Sequence, residues 1–197
     1  RASASEAIAL LERIRRMPAD GLWPDGFDTE IYLVEHWKVF APGFWNGEHW
    51  TAADIRDMVE NFRELLQPRN SSHPFLLPIV NEQHDIAVRY GWVVDCGVYP
   101  DGWMWVTLAV NRAAAQLVDS WLMDHSSIEF FSGDQIRNAG IPPKHADGRT
   151  RRAVLRAVAL TGGSMQAVLG QPPAPRPCRV VYQSAAGYRS FTARIGR

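Results

Sequence analysis

An α+β fold, with a mostly antiparallel β-sheet or barrel at its core and helices at its periphery, is predicted by three features of the 197-residue sequence. Apolar runs bounded by turn residues recur through the middle of the chain. Helical spacing occurs only in short stretches between strand groups, and no strand–helix–strand repetition points to a doubly wound parallel sheet. With 46% hydrophobic and 11% aromatic residues the chain suffices for one sizeable core, and 21% charged residues argue against disorder. No apolar run approaches ~18 residues, so no membrane-spanning helix is expected.

The elements follow in order. ASEAIALLERIRR at 4–16 places Ile8, Leu11 and Ile14 on one face of a short helix that stops at Pro18, and the Pro-, Gly- and Asp-rich stretch at 18–28 reads as a linker. The first strand is EIYLVEHWKVF at 30–40, followed by a turn between Gly43 and Gly47. Thr51 with Asp54 resembles a capping box, and Ile55, Met58, Val59, Phe62, Leu65 and Leu66 then form one apolar stripe of a helix ending near Pro68. FLLPIV from 75, YGWVVDCGVY from 90 and WMWVTLAV at 103–110 read as strands, the last two joined by a Pro100-Asp101-Gly102 turn. A helix is predicted at 111–124, a strand SSIEFF at 126–131, a polar loop at 132–152 and a strand AVLRAVALT at 153–161. After Gly170, QPPAPRP reads as extended and RVVYQ as a weak strand. The organisation is a helix and linker (1–28), a central domain (29–170) and a basic Pro- and Arg-containing tail (171–197).

The formal net charge of zero conceals a division, with 20 acidic and 10 basic residues in 1–134 against 1 and 11 in 135–197. Such asymmetry points to an interaction segment, and the tail, with five Arg and interleaved Tyr182, Tyr188 and Phe191, keeps nucleic-acid binding open. Cys96 and Cys178 form neither a CxxC motif nor a disulfide framework and read as free thiols of a reducing compartment. The chain starts at Arg rather than Met, which reads as a trimmed or processed start.

No HExxH, paired CxxC, Walker A loop or GxGxxG is present, so any catalysis rests on residues gathered by folding, without an expected metal or cofactor. His84, in the polar break NEQHD between two apolar runs, is placed to present a ring nitrogen to a cleft as a general base, or to stand as an exposed loop histidine. Ser127 opens a strand whose alternation puts it on one face with Glu129; it becomes a nucleophile only with a base in reach, and is otherwise a strand-edge serine. Arg149, Arg151, Arg152 and Arg156 flank the strand at 153–161 and read either as a solvated basic loop or as a source of an oxyanion-binding fork. Trp92, Trp103, Trp105 and Trp121 read either as an aromatic binding groove or, as strand alternation explains for most of them, as core and half-buried sheet.

Taken together, EIYLVEHWKVF, the Thr51–Ile55 helix start, His84 shortly before YGWV, SIEFF after a helix, and the closing VALTGG resemble the capsid-maturation (prohead) proteases of tailed phages, in particular the Mu-type protease/scaffold family. The resemblance spans about residues 30–168 and implies a herpesvirus assemblin-like fold, a small β-barrel with surrounding helices. It implies Ser127 as nucleophile and His84 as base; the third member is left open among Glu129, His145, Asp147 and none, as in a dyad, and Arg152 or N–H groups near the 132–152 loop are candidates for holding the oxyanion. The implied substrates are the major capsid and scaffold proteins, cleaved within the assembling prohead in the host cytoplasm, with homo-oligomerisation of the chain left open. The alternative is a non-enzymatic virion or assembly component on the same fold, docking through its basic part.

Overall fold

The computed structural model describes residues 30–66, 78–162, 168, 170–185 and 188–193, with side chains described only up to Arg179 in the last strands. The predicted helix and linker at 4–28, and the Tyr182, Tyr188 and Phe191 side chains, therefore lie outside the described residues.

The chain is α+β and its sheet is mixed. Eight strands are ordered β10-β9-β1-β6-β5-β4-β8-β7, and β2 and β3 make a separate pair. β1 (Glu30–Phe40) pairs antiparallel with β6 (Met104–Val110) on one side and with β9 (Cys178–Ala185) on the other. β5 (Gly91–Val98) pairs with β6, and its start is pressed so close to it that a Cβ on Gly91 would lie 1.9 Å from the Ala109 carbonyl oxygen. β4 (Ile79–Glu82) lies antiparallel to β5 but parallel to β8 (Ala153–Thr161), the one parallel ladder among the described residues. β7 (His125–Ser132) pairs antiparallel with β8. β10 (Tyr188–Ala193) pairs with β9.

The predicted turn at 43–47 is a miniature hairpin, β2 (Gly43–Trp45) and β3 (Glu48–Trp50), tied to the core of the sheet by edge-to-face contacts of Trp50 with Phe40 and Phe130. Helix α1 (Ala52–Leu66) has the expected box: Thr51 N–H donates to Asp54 and Asp54 N–H to Thr51 Oγ1. Its Ile55, Met58, Val59 and Phe62 are buried against the sheet. Helix α2 (Arg112–Asp119), capped by the Asn111 side chain, is shorter than predicted, because Ser120 and Trp121 end it in a turn where Trp121 takes a positive φ of 62°. Within the predicted loop, Asp134–Asn138 forms a short helix α3 whose Ile136 seals a second small core with Ile141 and Val154.

No backbone ladder joins β7 to β1 among the described residues, so the sheet is not a closed barrel. The gap is bridged by side chain and strap instead. Gln171 donates from Nε2 to Lys38 O on β1 (3.1 Å) and to Ser126 Oγ on β7 (2.6 Å), and its Oε1 accepts from Ser126 N–H (3.3 Å). Ala174 N–H donates to Asp124 O at 2.7 Å, and Trp37 Nε1–H to Pro172 O at 3.3 Å. The first residues of the stretch read as a tail are thus built into the sheet, and β9 extends it.

Candidate functional site

β4 ends in a tight turn that carries His84. Gln83 and His84 occupy its two central positions with φ of 46° and 68°, and Asp85 N–H closes it on Glu82 O at 2.7 Å. A turn with two positive φ values favours Asn-Gly; Gln is ill-suited to it, and His tolerates it better but still at a cost. The surroundings impose it. Asp85 Oδ1 accepts Ala87 N–H, the Tyr90 hydroxyl donates a short hydrogen bond to Glu82, and Tyr90 N–H donates to Val80 O. Burial, and then the Glu82 hydrogen bond, push the Tyr90 hydroxyl up to about 12.

The turn lays the His84 ring on Glu129. Nδ1 is 3.1 Å from Glu129 Oε1; an ionised carboxylate only accepts, so Nδ1 carries the proton. Nε2 has no hydrogen-bond partner among the described residues, and the side chain is 43% exposed. Glu129 itself is largely covered: Asn81 Nδ2 donates to the same Oε1 at 2.8 Å, and Arg156 Nη1 stands 4.0 Å from Oε2. Register explains the gathering. Asn81 and Ser127 both align with Ala159, and Glu129 aligns with Ala157, so three strands bring these residues to one sheet face over two small alanines.

Ser127 lies two residues before Glu129 on that face and lines a pocket of about 90 Å³ at the free edge of β7, with Phe40, Trp45, Trp50 and Phe130. Among the described residues no hydrogen bond joins Ser127 to His84. Ser126 points the other way: it is fully buried and its hydroxyl is held by Gln171.

The remaining candidates are engaged elsewhere. His145 is buried with Nε2 2.8 Å from Asp57 and Nδ1 3.2 Å from Glu64, both on α1, while Asp147 pairs with Arg149 at 2.7 Å. Arg152 meets Asp54 at 2.7 Å, donates to His49 O at 2.6 Å and lies over the Trp50 ring. Arg149 pairs with Glu60, and Arg151 is buried between Glu64 (2.6 Å), the Asn61 amide oxygen and Pro142 O. The arginines read as a solvated loop therefore face the acids of α1, apart from Arg156. Asp57, Glu60 and His145 bring ligand atoms within 4.8 Å of one another, but Arg149 already stands against both carboxylates. Both cysteines are free, and burial pushes the Cys96 thiol well up, which leaves it unreactive. Trp105 packs edge-on against His36, whereas Trp121 is exposed, so the tryptophans do not assemble into one groove.

Sequence reasoning missed Asn81 and Gln171. Asn81 falls in the NEQHD stretch read as a polar break and enters the sheet because β4 continues to Glu82, while Gln171 is signalled by nothing local, since its partners lie 45 and 133 positions away.

Compared with known proteins, the chain matches no family model and no curated sequence.

Proposed function

We propose that the chain is a serine endopeptidase of the assemblin-like kind that processes capsid and scaffold proteins inside an assembling phage shell. The observation that carries this reading is the His84–Glu129 pair, with Nδ1–H on the carboxylate, Nε2 open, and Ser127 two residues along the same strand face. In that reaction His84 Nε2 takes the Ser127 hydroxyl proton as Oγ attacks the scissile carbonyl, then gives it to the leaving amine. Water, deprotonated by the same nitrogen, releases the acyl group. Glu129 fills the third place, holding the tautomer and stabilising the imidazolium. His145 and Asp147 are spoken for by α1 and Arg149.

The proposal is tested by incubating the full chain with its own capsid protein and reading the fragments by mass spectrometry. Ser127→Ala is expected to lower cleavage by roughly 10⁴-fold or more, and Ser126→Ala to leave it within an order of magnitude of the parent. Unchanged processing by Ser127→Ala overturns the nucleophile. A parent chain that leaves capsid protein intact but co-assembles with it supports the non-enzymatic assembly component instead.

A further inference from the structure

We infer that Asn81 is a positioning residue for His84: its buried amide fixes Glu129, and Glu129 fixes which ring nitrogen carries the proton. The importance of that tautomer for catalysis rests on the reading of His84 as a general base; the positioning itself does not.

The Asn81 side chain is fully buried, and its Oδ1 is a buried acceptor without a hydrogen-bond partner among the described residues. An orphan acceptor of this kind is costly in a folded protein and calls for a reason. The amide has two orientations. The reverse one would set Oδ1 against Glu129 Oε1, two acceptors in contact, so the negative carboxylate holds Nδ2 toward itself and Oδ1 goes unpaired. The amide's preference for one orientation is thus the carboxylate's doing, and in return the carboxylate oxygen is pinned where the His84 ring meets it. Two donors, Asn81 Nδ2 and His84 Nδ1, then converge on the same oxygen at 2.8 and 3.1 Å. The backbone agrees: Asn81 lies three positions before His84, in a strand locked to β8 and ending in the strained turn, so amide and imidazole approach Glu129 from one rigid element.

Among the described residues, the charged groups around the ring are few. Glu129 faces it directly, Arg156 stands behind Glu129 at 4.0 Å, Glu82 is tied to the Tyr90 hydroxyl, and Asp85 is turned onto the Ala87 amide. Of these only Glu129 contacts the ring, so the tautomer depends on where that one oxygen sits.

The test is ¹⁵N NMR of the His84 ring in the full chain at a pH where it is neutral, together with capsid-protein cleavage. The parent is expected to hold the Nδ1–H form. Asn81→Ala, with Asn81→Ser as the milder second variant, is expected to lower the ratio of Nδ1–H to Nε2–H by roughly fivefold, the worth of one hydrogen bond, in a chain whose amide spectrum stays dispersed. A fall in that ratio with a parent that does not cleave would keep the positioning role and remove the protease reading. Cleavage by the parent with an unchanged ratio in a folded variant overturns the role of Asn81 and leaves the protease reading standing. Loss of the fold in both variants assigns Asn81 to the core and also overturns it.

Discussion

Gln83 and His84 show how a single residue position trades stability for placement. Each holds a left-handed conformation that costs a non-glycine residue about 1–2 kcal/mol, and such strain persists only where neighbours over-determine it. Gln83→Gly is therefore expected to raise stability by about 0.5–1 kcal/mol in urea denaturation, since the exposed Gln83 side chain contributes little. Glu129→Gln keeps the shape of the side chain but loses the charge that selects the Nδ1–H tautomer, and capsid-protein cleavage should fall by roughly 10²–10⁴-fold in kcat. In the sequence, the polar break places His84 at the end of a strand and alternation places Ser127 and Glu129 on one face, whereas the roles proposed for them come from the family resemblance. The convergence of His84 on Glu129 was not legible, because it depends on the parallel placement of β4 beside β8, a pairing of residues about 78 positions apart that no local pattern encodes.

Helix α1 is the element in which sequence and structure agree most closely, since the stripe and the box are both local signals. Its polar face was not legible as a partner of the 142–152 loop. There Asp54, Asp57, Asn61 and Glu64 receive Arg149, Arg151, Arg152 and His145. Breaking a buried, hydrogen-bonded pair leaves an uncompensated group, so Arg151→Ala is expected to destabilise the fold by about 3–5 kcal/mol, measured by urea denaturation. The same face sets an acid limit. Burial alone would raise the Glu64 carboxyl, but hydrogen bonds from Arg151 and His145 outweigh it and hold it below its ordinary value of 4.5. Thr51 and Arg152 likewise outweigh burial at Asp54 and hold it below 3.8. A carboxyl depressed in the folded state stabilises fully above its unfolded value and loses that contribution as pH falls through the folded one. The melting temperature should thus hold above about pH 5 and drop steeply below the ordinary carboxylate range, with a shallower drop in Glu64→Gln.

For the whole molecule, the cancellation of an acidic first part against a basic second part is in part an internal clamp: four of the 20 acids of residues 1–134 lie on α1 and meet their cations after β7. The strap at 170–177 belongs to the same scale. Gln171 is buried and satisfies three groups across the β1–β7 gap, so Gln171→Ala should cost about 2–3 kcal/mol and speed amide hydrogen exchange at Ser126. A deletion of 171–197 would remove this bridge and β9 together, so its effect on assembly would mix loss of the fold with loss of a docking tail. The α+β class and most strand positions were readable from apolar runs and turns, whereas the seam was not, because one glutamine closing a sheet has no periodicity. Whether His84 makes Ser127 nucleophilic is read with a fluorophosphonate probe and peptide mass spectrometry on the full chain. A label on Ser127 that is lost in His84→Ala is the expected result; a label elsewhere, no label, or equal labelling of Ser127 in His84→Ala overturns the role of His84 in activating Ser127.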